Sequence, residues 1–466
     1  MWSLGSRNIS IKTNPTSVVW SSRFAVYLGT AGAAVGLGSI WRFPYLTGTN
    51  GGSAFILVFV LACVLIATPL LCAELAFGRR SRRSPPEAAG AVANEFRLSS
   101  RWNVIGVLGS LAAFLIFSYY AVIGGWVVAY AWKCASGVLS RAGPANVGAL
   151  WKTFRSDPLE VGAWHVAFIM LVVLISSRGL RRGIEVANKI RAPGLLVLLV
   201  ILVIYSLSTG DVGRGLAFAF TPNFRAINAQ VILAAIGQAF YATGVGQAMM
   251  IAYGAYVEPG VSLARVSLII TGSILLVSML ATVMVFPLVF GYGMNPAQGP
   301  ALVFDVLPRV FTEMPAGRLI GTLFFVLLVL AALMPSIALL EPGVAWLVQR
   351  FGLGRWAAVS LVAGAAWFLG LGSVLSFNLW SGWHPLAVVP LLADKNFFEV
   401  MDFVSANIML PIGALLTSVL VGWRVNRAFL IDQFVEMTPT VRAAIGWLLR
   451  YLCPLGIFAV FVAALY

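Results

Sequence analysis

The chain has 466 residues, of which 60% are hydrophobic and only 10% charged, and its mean hydropathy is +0.93. That composition lies far outside the soluble range and describes a polytopic helical membrane protein. Lys and Arg outnumber Asp and Glu by 31 to 16, a net charge of +15, but loops flanking membrane spans absorb such an excess, so nucleic acid is not the implied partner.

In chain order, residues 1–22 are polar, lack the apolar core of a signal peptide, and are expected to form a cytoplasmic tail. Apolar runs long enough to cross a bilayer follow near 24–46, 54–77, 103–132, 161–177, 192–208, 229–256, 263–291, 317–349, 356–378, 399–422 and 442–465. That makes eleven predicted helices. With the N-terminus inside, the inner loops carry 21 Lys and Arg and the outer loops 9, with Arg42 left within the membrane. The inner set includes Arg178, Arg181, Arg182, Lys189 and Arg191. This bias predicts an inside N-terminus and, after eleven spans, an outside C-terminus. The inner run Arg79–Arg83 suits anionic headgroups, although a plain stop signal explains it as well. Residues 136–160 and 292–315 read as large outer loops, and 301–311 as a short amphipathic helix over the outer face. Cys63, Cys72, Cys134 and Cys453 are scattered, with neither metal spacing nor a disulfide framework.

Two of these runs are unusual. Residues 24–46 contain Gly29, Gly32, Gly36 and Gly38 and end in Arg42-Phe43-Pro44. Free backbone groups are tolerated at membrane depth only against protein or a wet cavity. Val35-Gly36-Leu37-Gly38 therefore reads as an unwound joint between half-helices, while Gly32-x-x-x-Gly36 equally fits close helix packing. Residues 229–256 are broken in the same way at Gly244-Val245-Gly246. Paired, glycine-interrupted spans in the two halves of a chain point to a transport site at the bilayer midplane.

The residues also carry a resemblance. The stretch Ala31-Gly-Ala-Ala-Val-Gly-Leu-Gly-Ser-Ile-Trp-Arg-Phe-Pro44, followed by Asn50-Gly-Gly-Ser-Ala-Phe55, resembles the first-helix signature of the neurotransmitter:sodium symporter family. Glu74 with Gly78-Arg79, Gly237-Gln238, Tyr253-Gly254-Ala255-Tyr256, Phe286-Pro287, Ser336-x-x-x-x-Glu341 and Met401-Asp402-Phe403 are similar to it too. The likeness runs from about Trp20 to Tyr466, and is nearest to bacterial amino-acid transporters. It implies an all-α, leucine-transporter-like fold with discontinuous helices 1 and 6. The inverted repeats would span 23–208 and 229–422, with an eleventh helix at 442–466. It further implies a bacterial-type inner membrane, a small zwitterionic solute, and a monomer or loose dimer.

Carried over residue by residue, the resemblance places a substrate carboxylate on the amides of Leu37 and Gly38 and on the Tyr120 hydroxyl. Half-helix N-termini do attract anions. Carbonyls near Ala34, Tyr241 and Ala242 would accept from an ammonium. Gly36 stands where monoamine carriers have an Asp, which implies a substrate that brings its own carboxylate. Ile116, Gly244, Gln247, Ser336 and Leu339 would complete the pocket. Arg42 and Asp402 match an outer gate pair, held by Gln238, with Tyr241 as an aromatic lid.

The departures concern ions. Family members bind two sodium ions. At the first site the places of their side-chain oxygens read Ser39, Ala242 and Ser273 or Ile274, and the span 261–290 has no Asn, Asp, Gln or Glu. At the second, two hydroxyls are replaced by Met334 and Pro335, leaving the carbonyls of Gly32, Val35 and Ala331, with Pro335 expected to open its helix. Sodium is thus the family expectation, with weakened or lost coupling implied. Glu74 and Glu341, ionisable and within apolar spans, are the candidates for proton coupling, with a structural role as the alternative. The inner-gate pair is replaced by Ser17 and Gln349, with Lys12 nearby. A channel or non-transporting sensor on the same scaffold stays open. An enzyme is not expected, since no Ser/His/Asp set, HExxH or Gly-rich nucleotide loop is present.

Overall fold

The computed structural model describes residues 19–297, 301–425 and 427–465. Among them nine helices are long and apolar enough to cross a membrane. These are α2 (Ser53–Ser81), α3 (Ser100–Ala135), α4 (Pro158–Ser176), α5 (Leu180–Thr209), α7 (Leu263–Gly291), α8 (Gly317–Phe351), α9 (Arg355–Leu375), α10 (Phe397–Arg424) and α11 (Pro439–Val460). A bent pair, α1a (Arg23–Ala34) and α1b (Gly38–Thr49), makes the first span. An interrupted pair, α6a (Ala229–Thr243) and α6b (Met249–Ala255), makes the sixth.

Both breaks are written in local chemistry. Ser22 caps α1a, its hydroxyl accepting from the Ala25 amide at 3.1 Å. The helix stops at Ala34 because Val35 is extended (φ −74°, ψ 105°), and α1b leaves at 50° to α1a. In the sixth span Asn228 caps α6a, and Gly244, Gly246 and Ala248 then all adopt positive φ. At Gly246 (φ 82°) a Cβ would also stand 2.7 Å from the Leu410 carbonyl oxygen, so only glycine fits. The Gly246 amide, released by the break, donates to Glu74 Oε1 of α2 at 2.7 Å.

The broken spans lie inside a cage of continuous ones. Helix α1a packs against α5, α7 and α8, while α6b packs closely on α2, and α3 runs along α4, α8 and α9. Outside them the helix Leu307–Glu313, with the preceding turn Leu302–Val306, seats Phe304 among Trp41, Trp126, Tyr130 and Trp151. This places the amphipathic segment expected at 301–311. Two expectations change. Arg191, counted from its sequence position as an inner-loop charge, lies within α5 and is only 5% exposed. Pro335 does not open its helix, because α8 runs unbroken from Gly317 to Phe351.

Candidate functional site

The breaks of the first and sixth spans meet around a buried cavity lined by Ala34, Gly36, Gly38, Ile116, Tyr120, Tyr241, Ala242, Gln247 and Leu339. Ala33, Met249 and Pro335 complete the wall, none of which the sequence singled out for it. The start of α1b and the end of α6a face each other closely: a Cβ on Gly38 would lie 3.3 Å from the Tyr241 ring and 3.7 Å from Ala242 Cα. The Leu37 amide donates to Tyr120 Oη at 3.3 Å, which leaves the Tyr120 hydroxyl proton as the donor at this spot. A Cβ on Gly36 would stand 2.5 Å from Pro335 Cγ and 3.2 Å from Tyr120 Oη, which fixes this position as glycine. Gly244 forms the left-handed cap of α6a, with the Met249 side chain against it. Ser336 is not on the wall; its hydroxyl turns back to the Ala332 carbonyl at 2.9 Å.

Tyr241 also lines a second cavity, of about 650 Å³, that holds Arg42, Asp402, Trp126 and Trp151. Arg42 lies 4.4 Å over the Tyr241 ring and donates to Gln238 Oε1 at 3.3 Å. Gln238 in turn donates to the Gly38 carbonyl at 2.7 Å. Asp402 accepts from Tyr119 at 2.9 Å. Of the expected gate residues, Arg42, Tyr241 and Asp402 share this cavity and Gln238 does not line it; Arg42 is bonded to Gln238 and Asp402 to Tyr119, with no ion pair between Arg42 and Asp402.

At the opposite end the chain is closed by aromatic packing and a buried ion pair. Trp20 stands edge-on to Tyr253 (5.4 Å), and its amide donates to the Tyr256 carbonyl at 3.3 Å. Glu341, fully buried, accepts from Arg355 at 2.7 and 2.9 Å and from Tyr256 at 2.7 Å. The sequence marked Glu341 but not its partner, which lies beyond the helix end. Gln349 accepts from the Ser84 amide at 2.6 Å; Ser17 and Lys12 lie outside the described residues.

The residues can be tested against the sodium ions that the family implies. At the first place Ser39 Oγ is buried without a partner and Ser273 is half-buried, but Ala242 and Ile274 bring no side-chain oxygen. At the second, the carbonyls of Gly32 and Val35 accept from the Arg191 guanidinium at 3.2 and 2.5 Å. Its Nε donates to the Leu330 carbonyl at 2.7 Å, one residue before the expected Ala331. The second set does not fit a sodium ion. A single buried hydroxyl is a thin side-chain contribution for the first.

Two broken spans facing each other around a buried cavity, with helix ends of opposite polarity, define a membrane carrier of the leucine-transporter-like fold, an inverted repeat of five helices plus five. A model of the sodium:neurotransmitter symporter family matches residues 18–153 and 157–466, and the chain belongs to that family. The uncharacterized sodium-dependent transporter YhdH of Bacillus subtilis (strain 168) is 35% identical over 452 residues, covering 96% of this chain and 97% of that protein. An uncharacterized sodium-dependent transporter of Haemophilus influenzae is 32% identical over 418 residues, covering 88% and 90%. The structure of MhsT in complex with L-phenylalanine matches with a TM-score of 0.87 at 35% identity, covering 96% of this chain and 99% of MhsT.

Proposed function

We propose that this transporter, with its N-terminus inside and its C-terminus outside, moves an amino-acid-like zwitterion by alternating access, with its sodium drive weakened or lost. The observation that carries the reading is the polarity of the inner cavity. Tyr120, whose oxygen accepts from the Leu37 amide, offers its hydroxyl proton beside the start of α1b, and the C-terminal end of α6a at Tyr241 and Ala242 presents the negative end of a half-helix dipole. Among the described residues no Asp or Glu stands in the wall. A ligand carrying both a carboxylate and an ammonium matches the two ends without leaving a buried charge unpaired. Gly36 supports the same class, because an Asp there would collide with Pro335. MhsT binds L-phenylalanine, which favours an amino acid here too. Met249, long and unbranched, sits at the side-chain end and can move to fit the solute.

Closure by Tyr241 on one side and Trp20 on the other favours a carrier over a channel, since a channel needs one continuous path. The test is uptake of an amino-acid panel into proteoliposomes under a sodium gradient, a proton gradient and neither. Saturable uptake or exchange of at least one neutral amino acid is expected, with little change when choline replaces sodium. Ion conduction without saturable substrate would reject the carrier, and strict sodium dependence would reject the lost drive.

A further inference from the structure

The end of α1a leaves two backbone carbonyls without helical partners. Gly32 would bond the amide of Gly36, which lies in the break, and Val35 would bond that of Ser39, which donates to Gly36 instead (3.1 Å). These oxygens are the negative end of a half-helix dipole, buried in the bundle, where an unsatisfied carbonyl is costly. The Leu330 carbonyl of α8 faces the same point. Three carbonyls from two chain segments, at the C-terminal end of a half-helix, form the kind of cradle that binds a cation in carriers of this architecture.

The cradle already contains a cation. Arg191 reaches in from α5, giving Nη1 to Gly32, Nη2 to Val35 and Nε to Leu330. Its charge meets these carbonyls and no carboxylate: among the described residues it forms no ion pair. A guanidinium stays protonated and spreads its donors in a fixed fork, so all three oxygens are served at once. We infer that the Arg191 guanidinium is a tethered substitute for a dissociable sodium ion in this cradle. The inference rests on the carrier reading only for its consequence. A tethered cation cannot leave with the substrate, so the cycle carries one ion fewer and draws no energy from that ion's gradient. It also means that α1a, in swinging away to open the inner side, must break bonds to α5 that no change in external sodium can weaken.

The experiment compares full-length wild type with Arg191→Ala and Arg191→Lys in detergent and in proteoliposomes. Radiolabelled sodium binding is expected to show no more than one ion per wild-type chain and one additional ion in R191A. Removing three buried hydrogen bonds is expected to lower uptake by R191A about tenfold or more. Millimolar guanidinium, but not urea, should restore part of that uptake and raise the melting temperature of R191A. Two sodium ions bound to wild type, or an R191A variant with unchanged uptake and no response to guanidinium or sodium, would overturn the inference. If R191A does not fold, the wild-type stoichiometry and the sodium response of R191K decide it. Should wild type transport no amino acid, the carrier reading fails, whereas sodium counts and melting shifts still decide the role of Arg191.

Discussion

At the scale of single residues, buried charge is the informative quantity. Glu341 has no exposed surface, and its two oxygens are met by Arg355 and Tyr256. Removing one member of such a pair strands the other in a poor dielectric, at a cost of about 3–5 kcal/mol. Arg355→Ala is therefore expected to lower the melting temperature in detergent sharply. Glu341→Gln, which keeps an acceptor and strands only the more exposed Arg355, should be milder. Equal tolerance of both would show that the pair contributes nothing. Arg191 is the counterpart case, a charge met by carbonyls alone.

At the scale of elements, the two broken spans need braces, since each break exposes amides and carbonyls that a helix would satisfy. Glu74 supplies one by accepting from Gly246 at 2.7 Å. A group that only braces needs an acceptor, not a proton. Glu74→Gln is expected to keep wild-type uptake, whereas Glu74→Ala leaves the Gly246 amide unpaired at about 1–3 kcal/mol and should reduce uptake about tenfold or more. Measured under a proton gradient, the pair separates two roles: a collapse of uptake in Glu74→Gln would mark Glu74 as the proton site. Helix α5 supplies the other brace, through Arg191, to the end of α1a.

Across the whole molecule, the cavity lies between the Tyr241–Arg42 contact at one end and Trp20 with the Glu341–Arg355 pair at the other, the outer and inner closures of the proposed carrier. Alternating access requires these closures to open one at a time, which makes them separable by mutation. Trp20 is 3% exposed and holds the N-terminal end of α1a against Tyr253 and Tyr256. Trp20→Ala is expected to shift the population toward inner opening. A single cysteine placed at Ala25, buried at the same end of α1a, should then react faster with a membrane-impermeant thiol reagent applied from the inner side. Unchanged labelling would remove Trp20 from the gate.

What the sequence determined by itself follows from local rules. Apolar length set the spans, glycine placement set both breaks, and the first-helix motif set the family, because each depends on neighbours along the chain. Gly36 was legible from the break itself, whereas Tyr120 and Tyr241 came only with the resemblance to the family. Missing hydroxyls at Met334 and Pro335 were legible too, but what replaced them was not. Arg191 sits just before an apolar run, where a flanking loop charge is the ordinary expectation, and nothing local distinguishes it from Lys189. Only the tertiary structure, by bringing α5 against the end of α1a, showed that this charge fills the carbonyl cradle. Partners so far apart in sequence are set by three-dimensional packing, and hydrophobic periodicity carries no record of them.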